Sequence, residues 1–253
     1  NEKRAAQQSR DQAQDLVTFM LGDLRDRLEP VGRLDALDGV GNKALEYFLN
    51  LPESERTNRS TLTSAKAFRQ IGEVRIAQGE TEKGLAALQQ AALILERNPD
   101  IDRGNRLYEF GQINYWIADV HFRNFEFDKA RAHSDEYLDF SRQLVDFAPN
   151  NPEYLLELLY AESNQGTLAY RAHDLQVARQ QFHKALAIGK KLTKLQSSPE
   201  NDLELATTIS WLGAIEASTG ELQSAYELYQ EEQAIYRKLV EIESDRRYVE
   251  YLA

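Results

Sequence analysis

WLGAIEASTGELQSAYELY, residues 211–229, sets Gly213 inside a run of good helix formers, Gly220 seven positions on and Ala225 five beyond that. Apolar residues recur every three or four positions on both sides of Gly220, the period of a helix with one buried face. A glycine in a helix interior costs about 1 kcal/mol against alanine, so Gly213 needs a reason. A neighbouring helix that passes very close supplies one, and Gly220 then reads as the turn between the two helices.

The same triplet recurs upstream. Gly166, His173 and Ala178 match it, as do Ala118, Phe125 and Ala130, and then Gly72, Gly79 and Gly84. The first small position steps through 72, 118, 166 and 213, and the second through 84, 130, 178 and 225, both with spacings of 46, 48 and 47. Two independent markers in one register define an internal repeat. Leu144, Leu192 and Leu239 mark unit ends, each followed three positions later by an apolar residue, Phe147, Leu195 and Ile242. Pro52, Pro99, Pro149, Pro152 and Pro199 fall in the joints, where proline opens a helix but cannot lie inside one. Alternating β-branched runs are missing, so the chain reads as all-α, each unit a helix, a short turn and a helix of about twenty residues or ~30 Å.

Composition bounds the function. With 253 residues and 42% hydrophobic content the chain can bury a core. Its formal charge of −11 argues against nucleic acid, whose phosphates select basic surfaces. The absence of cysteine removes disulfides and thiolate chemistry and fits the cytoplasm and the periplasm equally. No apolar run is long enough to span a membrane.

Catalysis finds no candidates. His121, His133, His173 and His183 include no pair at the three- or four-residue spacing of a helical metal site. His133, Ser134 and Asp135 are consecutive, so on a helix they point about 100° apart and cannot relay a proton. GVGNKA at residues 39–44 lacks the spacing of a phosphate-binding loop and reads as a turn and helix start. No catalytic, cofactor-binding or metal-ligating residue is therefore nominated, and a helical hydrolase would need a titratable cluster that the sequence does not offer.

The small–turn–small register resembles the tetratricopeptide repeat, whose pattern has small residues at positions 8, 20 and 27. On this register position 27 is Ala91, Tyr137, Ala185 and Glu232, two matches and two departures. Position 24, large in the family, is Leu88, Ser134, Phe182 and Tyr229, with Ser134 the departure. The period near 47 is longer than the family's 34. The resemblance implies a superhelical solenoid of antiparallel helix pairs: a helical lead-in over residues 1–51, four units over 53–244, and at 245–253 the truncated start of a further helix.

It also implies a groove lined by positions 2, 5, 6, 9, 12 and 13 of the first helices. Here those positions include Arg69, Tyr115, Trp116, Asp119, Tyr160, Asn164, Tyr170, Arg171 and Trp211. Tyr, Trp and Arg are the types that dominate binding hot spots. Asn164 matches the groove asparagine with which some members hold a peptide backbone. The expected partner is a protein or peptide, with self-association through the chain ends as the alternative. Residues 16–51 resemble the lead-in to repeat arrays in bacterial multidomain signalling proteins. That resemblance implies a sensor or scaffold role and a membrane helix preceding NEKRAAQQSRDQAQD (residues 1–15), a stretch that reads equally as a solvated first helix, and it favours a periplasmic over a cytoplasmic setting.

Overall fold

The computed structural model describes residues 38–50, 52 and 57–243, with residue 19 besides. The expectations for residues 1–15, for most of the lead-in before residue 38 and for the helix start at 245–253 lie outside the described residues. Among the described residues there are nine helices and no strand: α1 (Asp38–Leu49), α2 (Asn58–Ala77), α3 (Thr81–Arg97), α4 (Arg103–Arg123), α5 (Phe127–Phe147), α6 (Pro152–Arg171), α7 (Leu175–Leu195), α8 (Pro199–Ser218) and α9 (Leu222–Glu243). GVGNKA lies in the opening turns of α1.

The helices from α2 onward are 17 to 22 residues long, the length the 47-residue period requires. Every first helix opens on a capping side chain. Thr57, Asp102, Asn151 and Ser198 accept from the backbone N–H of Ser60, Asn105, Glu153 and Asn201 respectively, satisfying donors that the first turn leaves unpaired. Pro152 and Pro199 stand in the opening turns of α6 and α8, where a missing N–H costs nothing.

The turns are built alike. Gly79, Phe125, His173 and Gly220 all take positive φ, at 84°, 61°, 60° and 86°. In each turn the following residue, Glu80, Glu126, Asp174 or Glu221, donates its N–H to a carbonyl five residues back, 2.8–2.9 Å away. That is the left-handed close of a helix in which orphan carbonyls are satisfied. The same acidic residue then offers its carbonyl to Gly84, Ala130, Ala178 or Ala225 at 3.0 Å and so starts the second helix.

Chain contacts divide the described residues into two compact units, up to His133 and from Ser134, the boundary falling within α5. In the first, α2 packs on α3, α4 packs on both, and α1 packs on α2. Phe48, Phe68, Ile71, Leu88, Leu95 and Ile113 form its core. In the second, α6 packs on α7, α7 on α8 and α8 on α9. Leu144, Leu192 and Leu239, the unit-end markers, are at most 1% exposed, whereas their followers Phe147 and Leu195 are about half exposed and lie outside the core.

Close helix approach explains the small positions. A Cβ on Gly72 would sit 2.9 Å from Leu88 Cδ2, and one on Gly166 would sit 2.6 Å from Phe182 Cε2. One on Gly213 would meet Tyr229 Cε1 at 2.7 Å. In these three hairpins position 8 thus faces position 24, and the helices meet as closely as they do because the methyl is missing.

Departures from the repeat pattern are absorbed by polar partners. Tyr137, at position 27, is 2% exposed, and its hydroxyl donates to Glu157 Oε2 at 2.7 Å. Glu232, the other departure there, is half-buried; burial raises its carboxyl pKa and a hydrogen bond with Ser210 opposes the shift.

Candidate functional site

The nine groove positions divide between the two units. In the first, Arg69 on α2 is the hub of a buried ion cluster. Its Nε donates to Glu109 Oε2 at 2.7 Å and its Nη1 to Glu73 Oε1. Both carboxylate side chains are at most 2% exposed. A buried carboxylate without a cation is strongly destabilising, so Arg69 joins α2 to α4 before it can serve any ligand.

Tyr115 and Trp116 stand on α4 with rings edge-on at 5.5 Å, and Trp116 packs against the first unit's core. Asp119, one turn on, accepts from Arg123 Nε at 3.1 Å. Burial raises the Asp119 carboxyl above its ordinary range, with Arg123 opposing the shift.

In the second unit, Tyr160 on α6 donates its hydroxyl to Glu204 Oε1 on α8 at 2.9 Å. Tyr170 meets Trp211 edge-on at 5.7 Å. Trp211 in turn stacks on Phe182 of α7 with centroids 5.6 Å apart and planes 8° from parallel. One Trp211 face therefore closes the α7–α8 interface, and the ring remains half-buried. Asn164 is half-buried, and among the described residues its carboxamide makes no hydrogen bond. Arg171 is exposed in the last turn of α6. Tyr160, Asn164 and Arg171, at offsets of four and eleven, share one helix face.

Two sets of interacting residues lie outside the nine groove positions. The first is the glutamate row Glu109, Glu157 and Glu204, in first helices at spacings of 48 and 47. Each member accepts from a residue of a preceding helix, namely Arg69, Tyr137 or Tyr160. The register was a usable signal, because the row steps with the small positions. The second is the histidine pair. His121 and His133, twelve apart in sequence, are stacked at 5.8 Å across the α4–α5 turn. His121 Nδ1 lies 2.5 Å from Glu126 Oε2, and His133 Nδ1 lies 2.8 Å from Asn114 Oδ1. Asp135, the last of the consecutive trio, accepts from Gln165 instead. Among the described residues no group of three His, Cys, Asp or Glu could hold a metal ion. None of the described helices is long and apolar enough to cross a membrane.

The paired helices, left-handed turns and facing small positions define the class: this is the all-α helix-pair fold of tetratricopeptide-like repeat solenoids. Among solved structures, BtubC (BKLC) from P. vanneervenii superposes with a TM-score of 0.69 at 18% identity, covering 89% of this chain and 80% of that one. The nearly identical TPR-like repeats of a kinesin-light-chain-type protein of Podosopora anserina give 0.59 at 15% identity, covering 88% and 97%. A thermophilic TPR protein of Thermus thermophilus gives 0.51 at 16% identity, covering 93% and 98%. At these identities the likeness is one of fold. No family model and no curated protein matches the sequence.

Proposed function

We propose that this chain is a protein- or peptide-binding repeat domain whose ligand lies on the first-helix faces. Asn164 carries the reading. It stands one turn from Tyr160 and six residues from Tyr170, with both its amide donors and its acceptor unspent among the described residues. A carboxamide in that state, one turn from the Tyr160 ring, fits the backbone N–H and C=O of an extended peptide. Tyr170 and Trp211 supply anchor area, Arg171 supplies a guanidinium, and Tyr115, Trp116 and Asp119 offer a comparable surface in the first unit. The wider setting, a sensor or scaffold part of a larger bacterial signalling protein, rests on the lead-in of residues 16–51. Peptides selected from a displayed library against the chain would test the surface. Asn164→Ala is expected to weaken them about tenfold, the worth of one or two hydrogen bonds, with the melting temperature unchanged. Selected peptides that bind the variant and the parent equally would remove Asn164 from the site.

Self-association is favoured by a separate observation. Leu222, Tyr226 and Tyr229 are 69%, 59% and 39% exposed and recur along one face of α9 at helical spacing, an apolar stripe of the kind that marks contact surfaces. Sedimentation across a wide concentration range is expected to show a dimer that Leu222→Lys with Tyr226→Lys dissociates. A monomer throughout would remove this reading.

A further inference from the structure

Helix α7 is the chemical exception in this acidic chain. It carries Arg179, Lys184, Lys190, Lys191 and Lys194 and no Asp or Glu, against a formal charge of −11 for the whole. Its outward stripe, Gln176, Arg179, Gln180, His183, Lys184 and Ala187, lines an open concavity of about 670 Å³. The offsets of three, four, seven, eight and eleven put these residues on one face, ~16 Å long at 1.5 Å per residue.

The side chains on that face are held from beneath. Glu216 of α8 accepts from Arg179 Nε at 2.7 Å, and the same oxygen lies 3.6 Å from His183 Nε2. Glu162 of α6 accepts from Arg142 Nη2 at 2.9 Å and lies 3.9 Å from Lys184 Nζ. The Glu216 and Glu162 side chains are 1% and 5% exposed, whereas those of Arg179, His183 and Lys184 are 37%, 52% and 41% exposed. The carboxylates thus lie inside and their partners outside. Arg179 engages only Nε among the described residues, so its Nη donors remain unspent. The side chains are ordered before any partner arrives, which lowers the entropic cost of binding.

We propose that the α7 ridge is a docking surface for an acidic, Asp/Glu-rich peptide segment of a protein partner. It is separate from the first-helix surface and does not rest on it. The donors run in a line, guanidinium, imidazole and ammonium interleaved with the Gln176 and Gln180 amides. That spread suits carboxylates repeated along a peptide rather than one compact phosphate. A long polyanion such as nucleic acid would meet the net negative charge of the rest of the chain. Complementary charge then sets partner choice and association rate.

Fluorescence anisotropy of a labelled peptide alternating glutamate with alanine, titrated with the full chain, tests this. Saturable binding is expected. It should be lacking for the matching lysine–alanine peptide and several-fold weaker when salt rises from about 50 to about 300 mM. Gln176→Glu with Gln180→Glu sets negative charge, the sign of the peptide's own, on the ridge without touching either buried carboxylate. It is expected to cost about tenfold in affinity with an unchanged melting temperature. Asn164→Ala should leave this binding intact. Lack of saturable binding, equal binding of the lysine peptide, or equal affinity of the double variant would overturn the proposal. If the chain self-associates and the double variant does not, the acidic partner is a second copy and the separate peptide is excluded.

Discussion

At the scale of single residues, three glycines separate packing from conformation. Gly166 faces the ring of Phe182, which is fully buried and pinned by Trp211. Gly213 faces Tyr229, which is 39% exposed and can swing outward. Gly220 has open space but a φ of +86°. Thermal melts are expected to rank Gly166→Ala as the most damaging, near the upper end of the ~1–3 kcal/mol of overpacking. Gly220→Ala should cost about 1 kcal/mol through its left-handed backbone, and Gly213→Ala the least. Glu204 gives a test in pH. Burial raises its carboxyl above the ordinary 4.5, opposed by the Tyr160 hydroxyl. The folded chain therefore holds that proton more tightly, and stability falls as pH rises from 4.5 through the folded value. Glu204→Gln keeps an acceptor for Tyr160 and should raise the melting temperature at pH 7, with the gain vanishing near pH ~4. The glycines were legible because they break helix propensity. For Glu204 the register with Glu109 and Glu157 marks the position but not its burial against Tyr160, because a glutamate on a helix looks the same whether it is solvated or buried.

At the scale of elements, the hairpin turn is the device the chain repeats, and it is filled unequally. Gly79 and Gly220 adopt the left-handed turn without a Cβ penalty, whereas His173 and Phe125 do not. His173→Gly should therefore raise the stability, read from thermal melts, by the ~1 kcal/mol that the left-handed side chain costs. Asp174→Ala, one residue on, should lower it by about as much by removing the acceptor of the Val177 N–H, 3.1 Å away. If the histidine variant is neutral, Tyr170–Asp174 does not close as described. The turn register was readable in advance from the small positions on either side, although Phe125 is an unexpected residue for it. The volume exchange between positions 8 and 24 was also present in the sequence: glycines precede Leu88, Phe182 and Tyr229, while Ala118 precedes the small Ser134. Reading it as an exchange needed the observed facing of Gly166 and Phe182, since sequence spacing alone does not tell which residues of two antiparallel helices meet.

At the scale of the whole molecule, each compact unit holds one of the two tryptophans, Trp116 in the first and Trp211 in the second. Repeat arrays are stabilised by nearest-neighbour terms, so single-tryptophan variants should report locally. In a Trp116→Phe background, Gly166→Ala is expected to lower the denaturation midpoint read from Trp211 fluorescence. In a Trp211→Phe background it should move the Trp116 midpoint less, and equal shifts would mean that the units unfold as one. By itself the sequence determined the class of fold, the pairing of consecutive helices and the turns at Gly79, Phe125, His173 and Gly220. Those follow from local periodicity and from residues whose cost has to be justified where they stand. Only the tertiary structure decided that Arg69 is committed to two buried glutamates, that Trp211 stacks on Phe182, and that the cations of α7 face outward over buried carboxylates. These depend on what lies opposite each side chain, and burial and pairing arise between helices far apart along the chain.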